Sequence, residues 1–109
     1  MTNKKEDHSQ MKLLRAGCGK TIINIKLQEG REHIIDIDKI EKISNTPEPD
    51  STVLRISGDW TRIDINYRSF ATYYYEVLRE VLKSDTALNV FIMDFSQSAE
   101  GSLRRDDSL

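Results

Sequence analysis

The sequence predicts an α+β fold: an antiparallel four-stranded meander with one amphipathic helix packed on it and a fifth apolar strand after the helix. Three observations carry this. Apolar residues alternate with polar ones from Thr21 to Ile37 and again from Thr52 to Tyr67. They recur at helical spacing from Phe70 to Leu82. A short β-prone run, Leu88 to Phe95, follows.

The elements follow in order. Residues 1–12 carry Lys4, Lys5, Glu6, Asp7 and Lys12 and little that is apolar, so a mobile lead-in is expected, with Met11 as an alternative start. The first strand spans about Thr21 to Gln28, with Ile23, Ile25 and Leu27 on one face and Asn24, Lys26 and Gln28 on the other. Glu29-Gly30-Arg31 is a turn. The second strand starts near Glu32, with Ile35 and Ile37 continuing the buried face and Asp36 and Asp38 facing out. The alternation then slips to Ile40 and Ile43, which asks for a bulge or a short helical turn at Asp38–Glu41. Asn45 to Ser51, with Pro47 and Pro49, is a loop.

Thr52–Ser57 and Trp60–Tyr67 form a hairpin around Gly58-Asp59. Ile56 is expected opposite Thr61, Arg55 opposite Arg62, and Leu54 opposite Ile63. Leu54, Ile56, Ile63 and Ile65 then share the core face, and Arg55, Trp60, Arg62 and Asp64 the other. The helix is expected from Ser69, as N-cap, to Ser84, with Phe70, Tyr74, Val77, Leu78, Val81 and Leu82 as its stripe. Residues 96–109 are expected as a disordered C-terminal tail, leaving 13–95 as a single α+β domain.

Composition removes several function classes. Leu, Ile, Val and Phe make up 28 of 109 residues, enough for a packed core. The formal charge of −2 lacks the basic excess of a dedicated nucleic-acid binder. No apolar run suits a membrane span and the start has no apolar signal core, so a cytoplasmic location is expected. The single Cys18 makes neither an internal disulfide nor a zinc site alone.

Candidate chemistry is weighed against ordinary structure. Gly17-Cys18-Gly19-Lys20-Thr21 resembles part of a phosphate loop, but Leu14 stands where the first glycine belongs and a strand, not a helix, follows. A flexible entry to the first strand is the simpler reading. Cys18 has no histidine placed by local sequence to activate it, since His8 lies in the lead-in and His33 on a strand. Asp36 and Asp38, roughly 7 Å apart along a strand, suit a cation only with further oxygen ligands, and none is marked. No catalytic residue, metal site or cofactor is therefore assigned.

Two surfaces remain. Arg55, Trp60 and Arg62 share the outer face of the hairpin, and Tyr75 points outward from the helix. Trp and Arg are enriched at interface hot spots, so these four form a candidate partner surface. The alternative is phosphate- or nucleic-acid-ligand binding through Arg55, Arg62 and Trp60. The last strand is apolar on both faces, with Val90 and Ile92 on one and Phe91, Met93 and Phe95 on the other. One helix covers one face of a small sheet, so self-association through these five residues is expected, giving a homo-oligomer. The alternative is a sheet that buries both faces within one chain.

Ile23-Asn24-Ile25-Lys26-Leu27 before a turn at Gly30, Ile37-Asp38-Lys39-Ile40-Glu41-Lys42-Ile43, Pro49-Asp50-Ser51-Thr52 before a strand, Gly58, and the closing helix follow in an order that resembles the small flagellar FlbD/SwrD-type proteins of bacteria over about residues 22–82. The strand after the helix, Trp60 and both tails depart from that pattern. The resemblance implies a small bacterial, non-enzymatic accessory protein acting through protein contacts; a prophage protein fits equally. The expected function is a protein–protein interaction or regulatory module acting as a homo-oligomer with an unidentified protein partner.

Overall fold

A computed structural model describes residues 19–48, 50–84 and 86–107. The expected lead-in, His8, Cys18 with most of its glycine loop, and Pro49 lie outside the described residues.

Among the described residues seven strands and one α-helix follow in order: β1 (Lys20–Lys26), β2 (Glu32–Asp36), β3 (Ile40–Asn45), β4 (Thr52–Ile56), β5 (Asp59–Ile63), α1 (Tyr67–Leu82), β6 (Leu88–Asp94) and β7 (Ser102–Arg105). The class is α+β as expected, but the strands form two sheets rather than one meander. Sheet A has the order β2-β1-β6-β7, and sheet B the order β3-β4-β5.

The chain leaves one sheet for the other at a short 3-10 turn, Ile37–Lys39. Asp36 caps that turn, its Oδ1 accepting the Asp38 N–H at 3.0 Å. Ile37 and Ile40 are both buried at its two ends. The slip in the sequence's alternation is therefore a corner: it keeps apolar side chains inward while the backbone changes sheets. A bulge between Ile40 and Lys42 against Ile56 and Arg55 adds to the bend.

Sheet B is a true antiparallel meander, with a corrected hairpin register. Ile56 lies opposite Asp59, Arg55 opposite Trp60, Leu54 opposite Thr61 and Thr52 opposite Ile63. The turn is Ser57-Gly58, not Gly58-Asp59. Its φ values of 51° and 87° are those of a type I′ turn, which needs positive φ at both central residues. The partners differ from expectation by two residues. A slip of two keeps each side chain on its face, whereas a slip of one would turn the sheet inside out. Leu54 and Ile63 are accordingly buried, and Arg55, Trp60 and Arg62 are exposed.

The helix is capped three residues earlier than expected. Asn66, not Ser69, is the N-cap, its Oδ1 accepting the Ser69 N–H at 3.0 Å. Ile65 and Phe70, the positions of a hydrophobic staple, are both buried. The helix ends at Leu82, short of Ser84. Phe70, Tyr74, Val77, Leu78 and Val81 form its buried stripe, while Leu82 at the helix end is exposed.

The last strand accounts for its own apolar character. β6 is an inner strand of sheet A, parallel to β1 and antiparallel to β7. Parallel pairing sets Ile23 beside Phe91 and Ile25 beside Met93. Phe91, Met93 and Phe95 are buried in the chain's own core, together with the helix stripe and Leu54 and Ile63 of sheet B. The expectation that these three meet a second copy is thus corrected: α1 and sheet B cover them. The expected tail is corrected as well, because Ser102–Arg105 form β7, an edge of sheet A. Tyr73 pins this return. Its hydroxyl donates to the carbonyls of Glu100 (3.0 Å) and Gly101 (2.9 Å), and its ring lies 6.2 Å from that of Phe95. Burial, then the Glu76 and Glu100 charges, raise the phenol above its ordinary pKa.

Candidate functional site

Pairing in sheet B sets the outward residues in two rows. Lys42, Arg55 and Trp60 lie side by side, as do Ser44, Val53 and Arg62. The Arg55 guanidinium sits 5.7 Å from the centre of the Trp60 ring, a cation–π pair on an exposed face. Trp60 remains 54 % exposed. Trp60, Arg55 and Arg62 are thus brought together as the alternation implied. Tyr75 is not: it is exposed on α1, which packs against the inner side of sheet B.

Carboxylates balance the cations of this face. Arg55 Nε stands 3.6 Å from Glu41 Oε1, which also accepts the Gly58 N–H of the hairpin turn at 2.7 Å. Arg62 pairs with Glu48 and lies 3.7 Å from Asp64. These exposed pairs add little stability, but they fix the arginines as a mixed-charge patch around an indole. Such a patch suits a protein partner with both signs of charge better than a run of phosphates.

The other candidates have structural roles. Asp36 caps the 3-10 turn and bridges Lys20 at 3.1 Å. Its partnership with Asp38 is therefore a turn rather than an open pair of oxygens. No group of three or more His, Cys, Asp or Glu side chains capable of holding a metal ion occurs among the described residues. His33 is partly buried beside Ile25. Gly19 also has a structural reason. Its φ is 95°, and a Cβ there would lie 2.5 Å from the Ala87 carbonyl oxygen, where β1 and β6 start side by side. No helix among the described residues is long and apolar enough to cross a membrane.

Of the five residues expected to self-associate, Val90 and Ile92 fall on the outer face of sheet A; sequence reasoning missed the rest of that face, the even-numbered residues of β1, β2 and β7. Its pairing gives three rows: Glu32-Lys26-Asp94-Ser102, Ile34-Asn24-Ile92-Arg104, and Asp36-Ile22-Val90. Ile34 is 69 % exposed on the edge strand. Asn24 Oδ1 is buried among its neighbours with no hydrogen-bond partner. The available signal was the doublets Ile22-Ile23 and Ile34-Ile35, which put isoleucine on both faces of β1 and β2 as Val90 to Met93 do in β6.

No family model, curated protein or solved structure matches this chain.

Proposed function

We propose that this chain is a small non-enzymatic interaction module, of the bacterial or phage accessory type, that works in the cytoplasm as a homo-oligomer and binds a partner protein. The observation that carries the partner reading is the exposed Trp60, backed by Arg55 and flanked by Arg62 on the rigid meander of sheet B. A large aromatic with two arginines on a preformed surface has the make-up of an interface hot spot. The resemblance of residues 22–82 to the FlbD/SwrD-type proteins supports the same class.

Affinity capture from cells with the wild-type chain, with Trp60→Ala and with Arg62→Glu tests it. The expected result is a discrete set of captured proteins lost with both variants. Capture indifferent to both sinks the role of this face. The alternative is a phosphate or nucleic-acid ligand gathered by Arg55, Arg62 and Trp60, and the adjacency of the three favours it. Trp60 is the sole tryptophan, so its fluorescence reports that case directly. A salt-sensitive change on adding oligonucleotide, weakened by Arg62→Ala, would establish it.

A further inference from the structure

A cavity of about 280 Å³ opens where the end of β1 meets the entry to α1. Its floor is apolar, formed by Leu27, Ile65 and Phe95, all buried members of the core. Its rim carries Arg31, Asp50 and Asp64, all exposed. Ligand pockets run from roughly 300 to 1,000 Å³, so this volume suits one small molecule rather than a length of chain. Hydrogen bonds hold the walls in place. The Leu27 N–H donates to the Arg31 carbonyl at 2.8 Å, closing the turn that carries Arg31. The Phe95 N–H donates to the Lys26 carbonyl at 2.8 Å. The buried Thr52 hydroxyl donates to the Ile65 carbonyl at 2.9 Å, which ties the strand after Asp50 to the entry of α1.

The rim charges differ in how far they are satisfied. Asp64 stands 3.7 Å from Arg62. Arg31 and Asp50 make no ion pair among the described residues. Arg31 Nε donates to the Gln28 carbonyl at 3.4 Å, which leaves both terminal amino groups of the guanidinium uncommitted among the described residues. Two N–H groups in a fixed fork match a carboxylate. A carboxylate without a cation matches an ammonium, and the floor matches a hydrocarbon side chain. A free α-amino acid carries all three on neighbouring atoms. A residue within a peptide lacks both charges. We infer that this cavity binds a free apolar α-amino acid, with Arg31 on its carboxylate, Asp50 on its ammonium, and its side chain on Leu27, Ile65 and Phe95.

Titration of the full chain with L-leucine, followed by the backbone amide signals in NMR, tests this. Saturating shifts are expected at Leu27, Arg31 and Asp50. Two half-molecules of leucine separate the contacts: 4-methylpentanoate lacks the ammonium, and 3-methylbutylamine lacks the carboxylate. Each is expected to bind about tenfold or more weakly than leucine, the loss of one charge-assisted contact. Arg31→Gln and Asp50→Asn, both at exposed positions, should weaken leucine by the same factor, with circular dichroism confirming that each variant is folded. Arg31→Gln should leave the affinity for 3-methylbutylamine unchanged, and Asp50→Asn that for 4-methylpentanoate. No saturable binding of leucine overturns the inference. So do half-molecules that bind as tightly as leucine, and leucine binding indifferent to both variants.

Discussion

Sheets A and B share one core but differ in how their strands find each other. In sheet B each strand pairs with its neighbour in sequence, through turns of a few residues. In sheet A the central pair, β1 and β6, joins Lys20–Lys26 to Leu88–Asp94 in parallel, with the whole of sheet B and α1 between them. The two outer faces differ as well. Sheet B shows water a tryptophan amid paired charges, whereas sheet A exposes Ile34 at its edge and keeps Ile92 and an unpaired Asn24 amide oxygen buried. A local meander can leave one face polar and wet. A strand buried on its inner face by long-range pairing carries its apolar residues to both sides.

Substitutions in the two regions should therefore have very different effects. The largest is expected at Phe91, which is buried where β6 meets β1 and α1. Phe91→Ala should cost about 3–5 kcal/mol in chemical denaturation, independent of protein concentration. A small, concentration-dependent loss would instead return Phe91 to an interface. Next is Gly101, with φ 69° and the Phe95 ring 2.6 Å from the position of a Cβ. Gly101→Ala should cost about 1–3 kcal/mol by the same measurement, from left-handed backbone strain and displacement of Phe95. Unchanged stability would mean that β7 is not held by this return.

A smaller effect is expected at Asp94, and it depends on pH. The Ser96 hydroxyl and N–H both donate to its Oδ1, and Arg104 stands 3.6 Å from Oδ2. The Ser96 bonds first, then Arg104, hold the carboxyl below its ordinary pKa, against a desolvation that pushes the other way. A carboxyl lowered in the folded state stabilises above its unfolded pKa, and that stability is lost as pH falls through the folded pKa. The stability of dilute wild-type protein against denaturant should therefore fall on acidification through the carboxylate range. Asp94→Asn should flatten the curve, with the two chains furthest apart near neutral pH. Parallel curves would mean that Asp94 does not set this pH dependence. The smallest effect is expected on sheet B, where Trp60→Ala should shift stability by no more than about 0.5 kcal/mol, because the indole is half exposed and buries little. A loss of several kcal/mol there would make Trp60 a structural residue rather than a contact surface.

What the sequence made legible follows the same division. The hairpin faces, the corner at Ile37–Ile40 and the helix stripe are local, set by period and turn chemistry. Asn66 and Ser69 are both good caps, and the choice falls to Asn66 because Ile65 and Phe70 then enter the core together. The parallel partner of β1 leaves no local trace. Tyr73 binding Glu100 and Gly101, which brings β7 back to the sheet, also spans a gap that periodicity does not read. Of the candidate surfaces, the Trp60 group was legible because alternation alone sets its face. The sheet A surface was not, because it exists only once β6 lies between β1 and β7.

The proposed function gives self-association to β6, through Val90 and Ile92, and partner binding to the Trp60 face of sheet B. Methyl and indole NMR spectra of the wild-type chain across a dilution series test it in one measurement. The predicted result is that the methyl signals of Ile22, Ile34, Val90 and Ile92 move with concentration while the Trp60 indole signal stays fixed. Movement of the Trp60 indole with the sheet A methyls unchanged would contradict it.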